Sequence, residues 1–307
     1  MKQLNRIISL IDTFQRQHSF IGFVYSVIKK YNQDNGGYLS VVITYYSFLS
    51  LFPMLVVLTS LIELLLGGNS YLKNKLISSA ARYFPVIGSQ IQNFIRSPKE
   101  TGIALVVSLI ITLYGARGVA NAMQYSLSTL WYVPHYKNPS LINNLIRSLS
   151  IMVIGGLGLL ISSAVSGFAA ISGNAIFVRG FLLLASFLLL WLTFIYIFKL
   201  SIAGIVKVKQ VIVGALLAAF GLQLLQALGG IIIVYELKKL SNFYGTFALV
   251  VGLLFWIYLQ ARILLYAVEV DVIRFYRLFP RSIQGSSTEA DKVSYQQQVL
   301  SNQRKKH

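Results

Sequence analysis

The stretch Ile103–Val133, IALVVSLIITLYGARGVANAMQYSLSTLWYV, decides the fold class. Its first half is almost wholly apolar, and a permanent cation, Arg117, then interrupts it. An apolar run of this length is typical of a helix in lipid, where a charged side chain is costly and must be compensated. Polar residues then recur at spacings of four, three and four, which places them on one helical face: Arg117, Asn121, Gln124 and Ser128.

The composition extends this interpretation to the whole chain. Over 307 residues the chain is 56% hydrophobic and 12% charged, with a mean hydropathy of +0.67. Soluble domains carry about 25% charged residues, so an all-α integral membrane protein is predicted. The net charge is +18, and the basic residues mostly flank apolar runs, where they match anionic headgroups. We therefore expect membrane lipids as partners and no nucleic acid.

The apolar runs predict six transmembrane helices with an N-terminal amphipathic interfacial helix. Residues 1–37 form the amphipathic cytoplasmic segment, 38–280 the six-helix membrane domain and 281–307 a polar disordered tail. Two short surface helices are expected between spans one and two, within 67–102. The six spans are predicted at about 38–66, from 103 through Arg117, 145–170, 180–198, 211–235 and 243–272. Basic residues are more abundant on the segments that lie inside when both termini are cytoplasmic, so this orientation is predicted.

Three blocks of the sequence resemble one family. They are Tyr45–Pro53 (YYSFLSLFP), Ala116–Gly118 (ARG), and the run from Gly245 through Trp256 to Glu269-Val270-Asp271. Together they are similar to the YihY/virulence factor BrkB family, formerly labelled ribonuclease BN. The resemblance covers roughly residues 20–280 and implies six membrane helices in the bacterial cell (inner) membrane. The chain departs from the family pattern at Asp271, where the family usually has Asn.

The candidate site is built on two arginines. Arg117 either snorkels to headgroups or forms a structural ion pair, or it faces the bundle and binds an anionic group. Arg262 and Glu269 are seven residues apart and share a face of span six. Glu269 is expected either to neutralise one of the arginines or to act as a gate or proton-coupled partner, at the cytoplasmic edge of the span. The predicted substrate-binding residues are Arg117, Asn121, Gln124, Arg262 and Glu269.

The residues give little basis for catalysis. The chain has no cysteine and three histidines, and Glu269 and Asp271 are two apart on a helix, so they point away from each other. A nuclease needs paired carboxylates with metals or a histidine pair. We therefore expect no enzyme, no catalytic residue, no metal and no cofactor. The functional hypothesis is a transporter-like protein that binds or translocates an anionic lipid or solute. The alternative is a membrane scaffold that binds partner proteins, and a homo-oligomer is compatible with either.

Overall fold

A computed structural model describes residues 19–50, 103–133, 141–171, 176–202, 206–244 and 246–278. The secondary structure of this described part is helical throughout, with short turns between some of the helices. The helices are α1 (Ser19–Gln33), α2 (36–50), α3 (Ile103–Leu130), α4 (Leu141–Ile171), α5 (Ile176–Ser201), α6 (Val208–Tyr244) and α7 (Thr246–Tyr276).

Four of these helices contain stretches long and apolar enough to cross a membrane. The stretches are Ile146–Ser166, Ile176–Ser201, Val208–Leu228 and Val250–Tyr276. They coincide with predicted spans three to six, and this part of the prediction is confirmed. Large side chains stay exposed on their outer faces, for example Phe177 at 93%. Such exposure is expected where the surrounding solvent is lipid.

The other predicted elements are described only in part. Predicted span one is helical over 38–50, and α3 forms one helix from the start of predicted span two. Neither is among the four membrane-length candidates. The rest of span one, the two loop helices within 67–102 and the tail 281–307 lie outside the described residues. Of the amphipathic segment, α1 covers only the second half.

The connection between α1 and α2 is a short turn. Helix α1 continues to Gln33 and α2 begins at residue 36. Asn35 adopts a left-handed conformation, with φ at 54°, which interrupts the helical backbone between α1 and α2. A Cβ on Gly36 would overlap the Tyr31 ring, so this position suits glycine. The turn holds Tyr31 against the start of α2.

Glycines set the distance between neighbouring helices. A Cβ on Gly115 would overlap Ser50 of α2, including its backbone, and a Cβ on Gly118 would overlap the Tyr46 ring. The small residues on either side of Arg117 therefore let α3 pack closely against α2. In α4, a Cβ on Gly158 would overlap Thr193 of α5 in the same way.

The C-terminal ends of α3 and α7 meet at one end of the bundle. Their aromatic cluster consists of Trp131, Tyr132, Phe275 and Tyr276, with the Trp131 and Phe275 ring centroids 5.6 Å apart. The Tyr276 hydroxyl donates to the Trp131 carbonyl oxygen at 3.4 Å. Since both helices end here, they run in the same direction through the bundle.

The glycine contacts give a first test. We expect Gly115→Ala to lower the free energy of unfolding by about 1–3 kcal/mol, because the new methyl group must displace the α2 backbone. The matched control is Gly156→Ala in α4, where an added Cβ meets nothing within 4 Å. The control should be neutral or slightly stabilising, since alanine favours helix. Equal thermal stability of both variants in detergent would contradict the close packing of α2 and α3.

Candidate functional site

A groove lies between α2 and α3, on the side of the bundle that carries Arg117. Its volume is about 470 Å³ and it is open to the surface. Gly118, where α3 closely approaches Tyr46 of α2, is one of its lining residues. The groove is lined by Val42, Tyr46, Tyr114, Arg117, Gly118, Asn121, Ala122 and Tyr125. No acidic residue is among these lining residues.

Arg117 is exposed at the wall of this groove. Within the part of the chain that the structure describes, its guanidinium makes no hydrogen bond or ion pair. A guanidinium carries five N–H donors and stays charged, so at membrane depth it requires water or an anion. Tyr46, Tyr114 and Tyr125 contribute rings and hydroxyl groups around it. The structural alternatives for Arg117 and its role as a ligand both stay predictions.

The two amides of the polar stripe connect the groove to α4. Gln124 is 8% exposed, and its Nε2 donates to Ser148 Oγ of α4 at 3.0 Å. Ser148 Oγ in turn donates to Asn121 Oδ1 at 2.9 Å. The stripe therefore passes from the groove into the interface between α3 and α4. Asn121 lines the groove, whereas Gln124 acts through Ser148 rather than from the groove wall.

The direction of this hydrogen-bond chain fixes the Asn121 amide. Because Asn121 Oδ1 is the acceptor for Ser148, the Asn121 NH₂ group remains available as a donor. Asn121 follows Arg117 by four residues, so the two side chains are neighbours on the helix surface. The groove thus offers a cation and an amide donor side by side. Ser148 was missed from the sequence because a serine in a small-residue span carries no signal of its partner.

Arg262 lies in a different environment from Arg117. Its guanidinium carbon is 5.6 Å from each of three ring centroids, those of Tyr31, Tyr258 and Tyr266. It also donates from Nη2 to the Tyr266 hydroxyl oxygen at 3.1 Å. Cation–π contacts of this kind are worth about 0.5–2 kcal/mol each, depending on desolvation. Arg262 is therefore compensated by the aromatic rings, and it does not line the groove.

Tyr31 joins α1 to this arginine. Its ring stacks on Tyr266 with centroids 3.9 Å apart, and its hydroxyl shares a hydrogen bond of 3.0 Å with Ser40 Oγ. Burial raises the pKa of the Tyr31 phenol, so the group stays protonated at neutral pH. The spacing of Tyr258, Arg262 and Tyr266 by four residues could have predicted their contact, since such residues share a helical face. The contact of Tyr31 from α1 with Arg262 could not be predicted from the sequence.

Glu269 has a different counter-ion from the one expected. Its Oε2 lies 2.7 Å from Lys30 Nζ of α1, and both side chains are fully buried. The sequence interpretation assigned Arg117 or Arg262 as its partner, placed Glu269 at an accessible edge and put Lys30 in an interfacial helix. These assignments are corrected, because α1 docks against α7 and inserts Lys30 into the bundle.

Lys30 connects three helices. Besides Glu269 of α7, it pairs with Asp34 in the turn after α1 and donates to the Leu130 carbonyl oxygen of α3 at 3.3 Å. Its Nζ lies 4.9 Å from the centre of the Tyr132 ring. A buried ammonium with four such contacts is well compensated. Lys30 and Glu269 therefore form a structural centre rather than part of the groove.

The predicted site residues thus separate into three places. Arg117 and Asn121 line the groove, Gln124 supports it from behind, and Arg262 and Glu269 contact α1. Measured along straight helices, Arg117 lies about 20 Å from the Leu130 end of α3. Arg262 lies about 10 Å from Glu269 along α7. The two arginines do not share the groove. Among the described residues, no group of three or more His, Cys, Asp or Glu side chains is placed to hold a metal ion.

The chain matches the model of a known protein family. The model of the family described as Virulence factor BrkB matches residues 27–291, a range that includes the groove, Arg262 and the Lys30–Glu269 pair. No curated protein and no solved structure matches the chain.

The buried pair is testable by a double-mutant cycle. Lys30→Met should lower the free energy of unfolding by about 3–5 kcal/mol, because Glu269 stays buried without its cation. The double variant Lys30→Met with Glu269→Leu should lose less, since neither charge remains. Lys209→Met is the control, because Lys209 is exposed and should change stability by less than about 0.5 kcal/mol. If the loss in the double variant equals the sum of the losses in the single variants Lys30→Met and Glu269→Leu, the ion pair is contradicted.

Proposed function

The chain belongs to the BrkB virulence factor family, and from this premise we propose that it is a multi-pass membrane protein that binds an anionic lipid at Arg117. The headgroup of the lipid, carrying a phosphate or a carboxylate, would lie in the groove between α2 and α3. The observation that carries the proposal is an exposed guanidinium that makes no hydrogen bond or ion pair within the described residues.

The chemistry of the groove favours an anion. Its polar side chains near Arg117 include several donors: the guanidinium itself, the NH₂ group of Asn121, which has no acceptor among the described residues, and the hydroxyl groups of Tyr46 and Tyr114. Charge-assisted hydrogen bonds from such donors are shorter and stronger than neutral ones. A cation would find no carboxylate among the lining residues. A neutral solute would leave Arg117 uncompensated.

The surroundings of the groove favour an anion with an apolar tail. Large apolar or aromatic side chains are exposed on the two helices that form it, including Val41 at 53%, Tyr45 at 59% and Ile110 at 61%. These side chains give an acyl chain an apolar surface beside the headgroup. The open shape of the groove would let a lipid enter from the side.

Removal of the cation is the direct test. We expect Arg117→Ala to weaken binding of an anionic phospholipid about tenfold, which corresponds to the loss of about 1.4 kcal/mol. The control is Arg179→Ala, because Arg179 is also exposed but lies on α5, outside the groove. Native mass spectrometry of purified protein would measure the retained anionic phospholipid, with a zwitterionic phospholipid and inorganic phosphate as comparison probes.

The comparison probes distinguish the sources of the anion. Retention of the anionic phospholipid by the parent protein and by Arg179→Ala, with loss in Arg117→Ala, is the expected result. Displacement of this lipid by inorganic phosphate would indicate a free anion as the ligand. Equal lipid retention by both arginine variants would contradict the proposal and leave the membrane scaffold as the better interpretation.

Ser148 provides an indirect test of the same site. Ser148→Ala removes the hydroxyl that donates to Asn121 Oδ1, so the orientation of the Asn121 amide is no longer fixed. We expect anionic phospholipid binding to fall a few-fold, less than in Arg117→Ala, because the cation remains. The matched control is Ser162→Ala, a serine of the same helix that donates to the Ser186 carbonyl oxygen instead. An effect of the same size in the control would show that the loss is only one of helix packing.

A further inference from the structure

A second acid is buried between α6 and α7, away from the groove. Asp271 of α7 is 2% exposed. Its Oδ1 accepts a hydrogen bond of 2.7 Å from the Gly214 backbone N–H of α6. Its Oδ2 is fully buried and has no hydrogen-bond partner among the described residues. Buried polar atoms rarely lack a hydrogen-bond partner, so the state of Oδ2 needs a physical explanation.

The helices approach each other closely at this acid. A Cβ on Gly214 would overlap both Asp271 Oδ2 and the Ala267 carbonyl oxygen. Both oxygens therefore face Gly214 from α7, and Ala267 precedes Asp271 by four residues, which places the two on one face of that helix. The Ala267 carbonyl oxygen is an acceptor and repels a carboxylate, but it can accept from a carboxylic acid O–H.

Few charges act on Asp271. On its own helix, the exposed Arg274 is a nearby cation, and Glu269 two residues earlier is paired with Lys30. From α6, the buried residues around Gly214 are Val211, Ala215 and Ala218, which are apolar. The N-terminal dipole of α6 adds a weak positive potential, which falls off beyond the first turn. No buried cation comparable to Lys30 faces Asp271 among the described residues.

We propose that Asp271 is a proton-binding site: it holds a proton at neutral pH, and its Oδ2–H donates to the Ala267 carbonyl oxygen. In this state both carboxyl oxygens are satisfied, one by Gly214 N–H and the other by Ala267. The carboxyl group then links α6 to α7 without a buried charge. Loss of the proton places an anion between two closely packed helices and weakens that link.

The site is independent of anion binding at Arg117, because neither its residues nor its test involves the groove. It also differs from Glu269, which lies two residues earlier on α7 but pairs with Lys30. The two acids thus have opposite kinds of compensation. Glu269 is balanced by a cation, and Asp271 is balanced by a proton.

Infrared spectroscopy of the full-length protein in lipid tests the proposal. A protonated carboxyl group has a C=O stretch separate from that of a carboxylate. At neutral pH we expect this band in the parent protein, its loss in Asp271→Asn, and its retention in Glu269→Gln. Labelling of aspartate with ¹³C at the side-chain carboxyl should shift the band without any substitution, which covers the case of a variant that does not fold. The proposal would be overturned if the C=O band of the labelled protein stayed at its unlabelled position, or if the band persisted in Asp271→Asn.

The pH dependence of stability is a second readout. An aspartate in the unfolded chain loses its proton near pH 4. Above that pH the folded protein binds one proton more than the unfolded protein, so stability falls as the pH rises. We expect the unfolding temperature of the parent protein to fall more steeply between pH 5 and neutral pH than that of Asp271→Asn. Parallel curves for the two proteins would show instead a carboxylate held by Gly214, Arg274 and the α6 dipole.

Discussion

The arrangement of the bundle depends on the buried ion pair between Lys30 and Glu269. Both charges are fully buried, and each would be strongly destabilising without the other. The pair fixes α1 against α7, and the Leu130 carbonyl contact adds the end of α3. The aromatic cluster then closes the same end of the bundle around it. A segment that composition assigned to the membrane surface is thereby an integral part of the helix packing.

Arg117 of α3 and Arg262 of α7 have two different environments in the bundle. Arg262 is surrounded by three tyrosine rings, one of them supplied by α1. Arg117 is instead left at the wall of an open groove. The difference follows from their neighbours: α7 packs against α1, whereas glycines beside Arg117 draw α2 close and leave space next to the cation. Only the second arrangement places the guanidinium in the lining of the groove.

The sequence predicted the long apolar helices well, because length and hydropathy are local properties. Four apolar stretches and the resemblance to the family could be predicted directly from the sequence. The partner of Glu269 could not be predicted, since Lys30 belongs to an amphipathic stretch in which a lysine is normally solvated. The burial of Asp271 was also hidden, because its position near the end of α7 suggested access to water. Its close contact with Gly214 depends on the packing of α6 against α7, which spacing along one helix does not specify.

The docking of α1 has a consequence for the order in which the protein is assembled. Lys30 is made early and Glu269 late, and at synthesis rates of about 5–20 residues per second they emerge roughly 10–50 s apart. During that interval the ammonium of Lys30 can pair with Asp34 but not with Glu269, its fully buried partner. Helix α1 is therefore among the last helices to reach its final position, and until α7 is inserted it remains at the membrane surface, where its amphipathic composition places it.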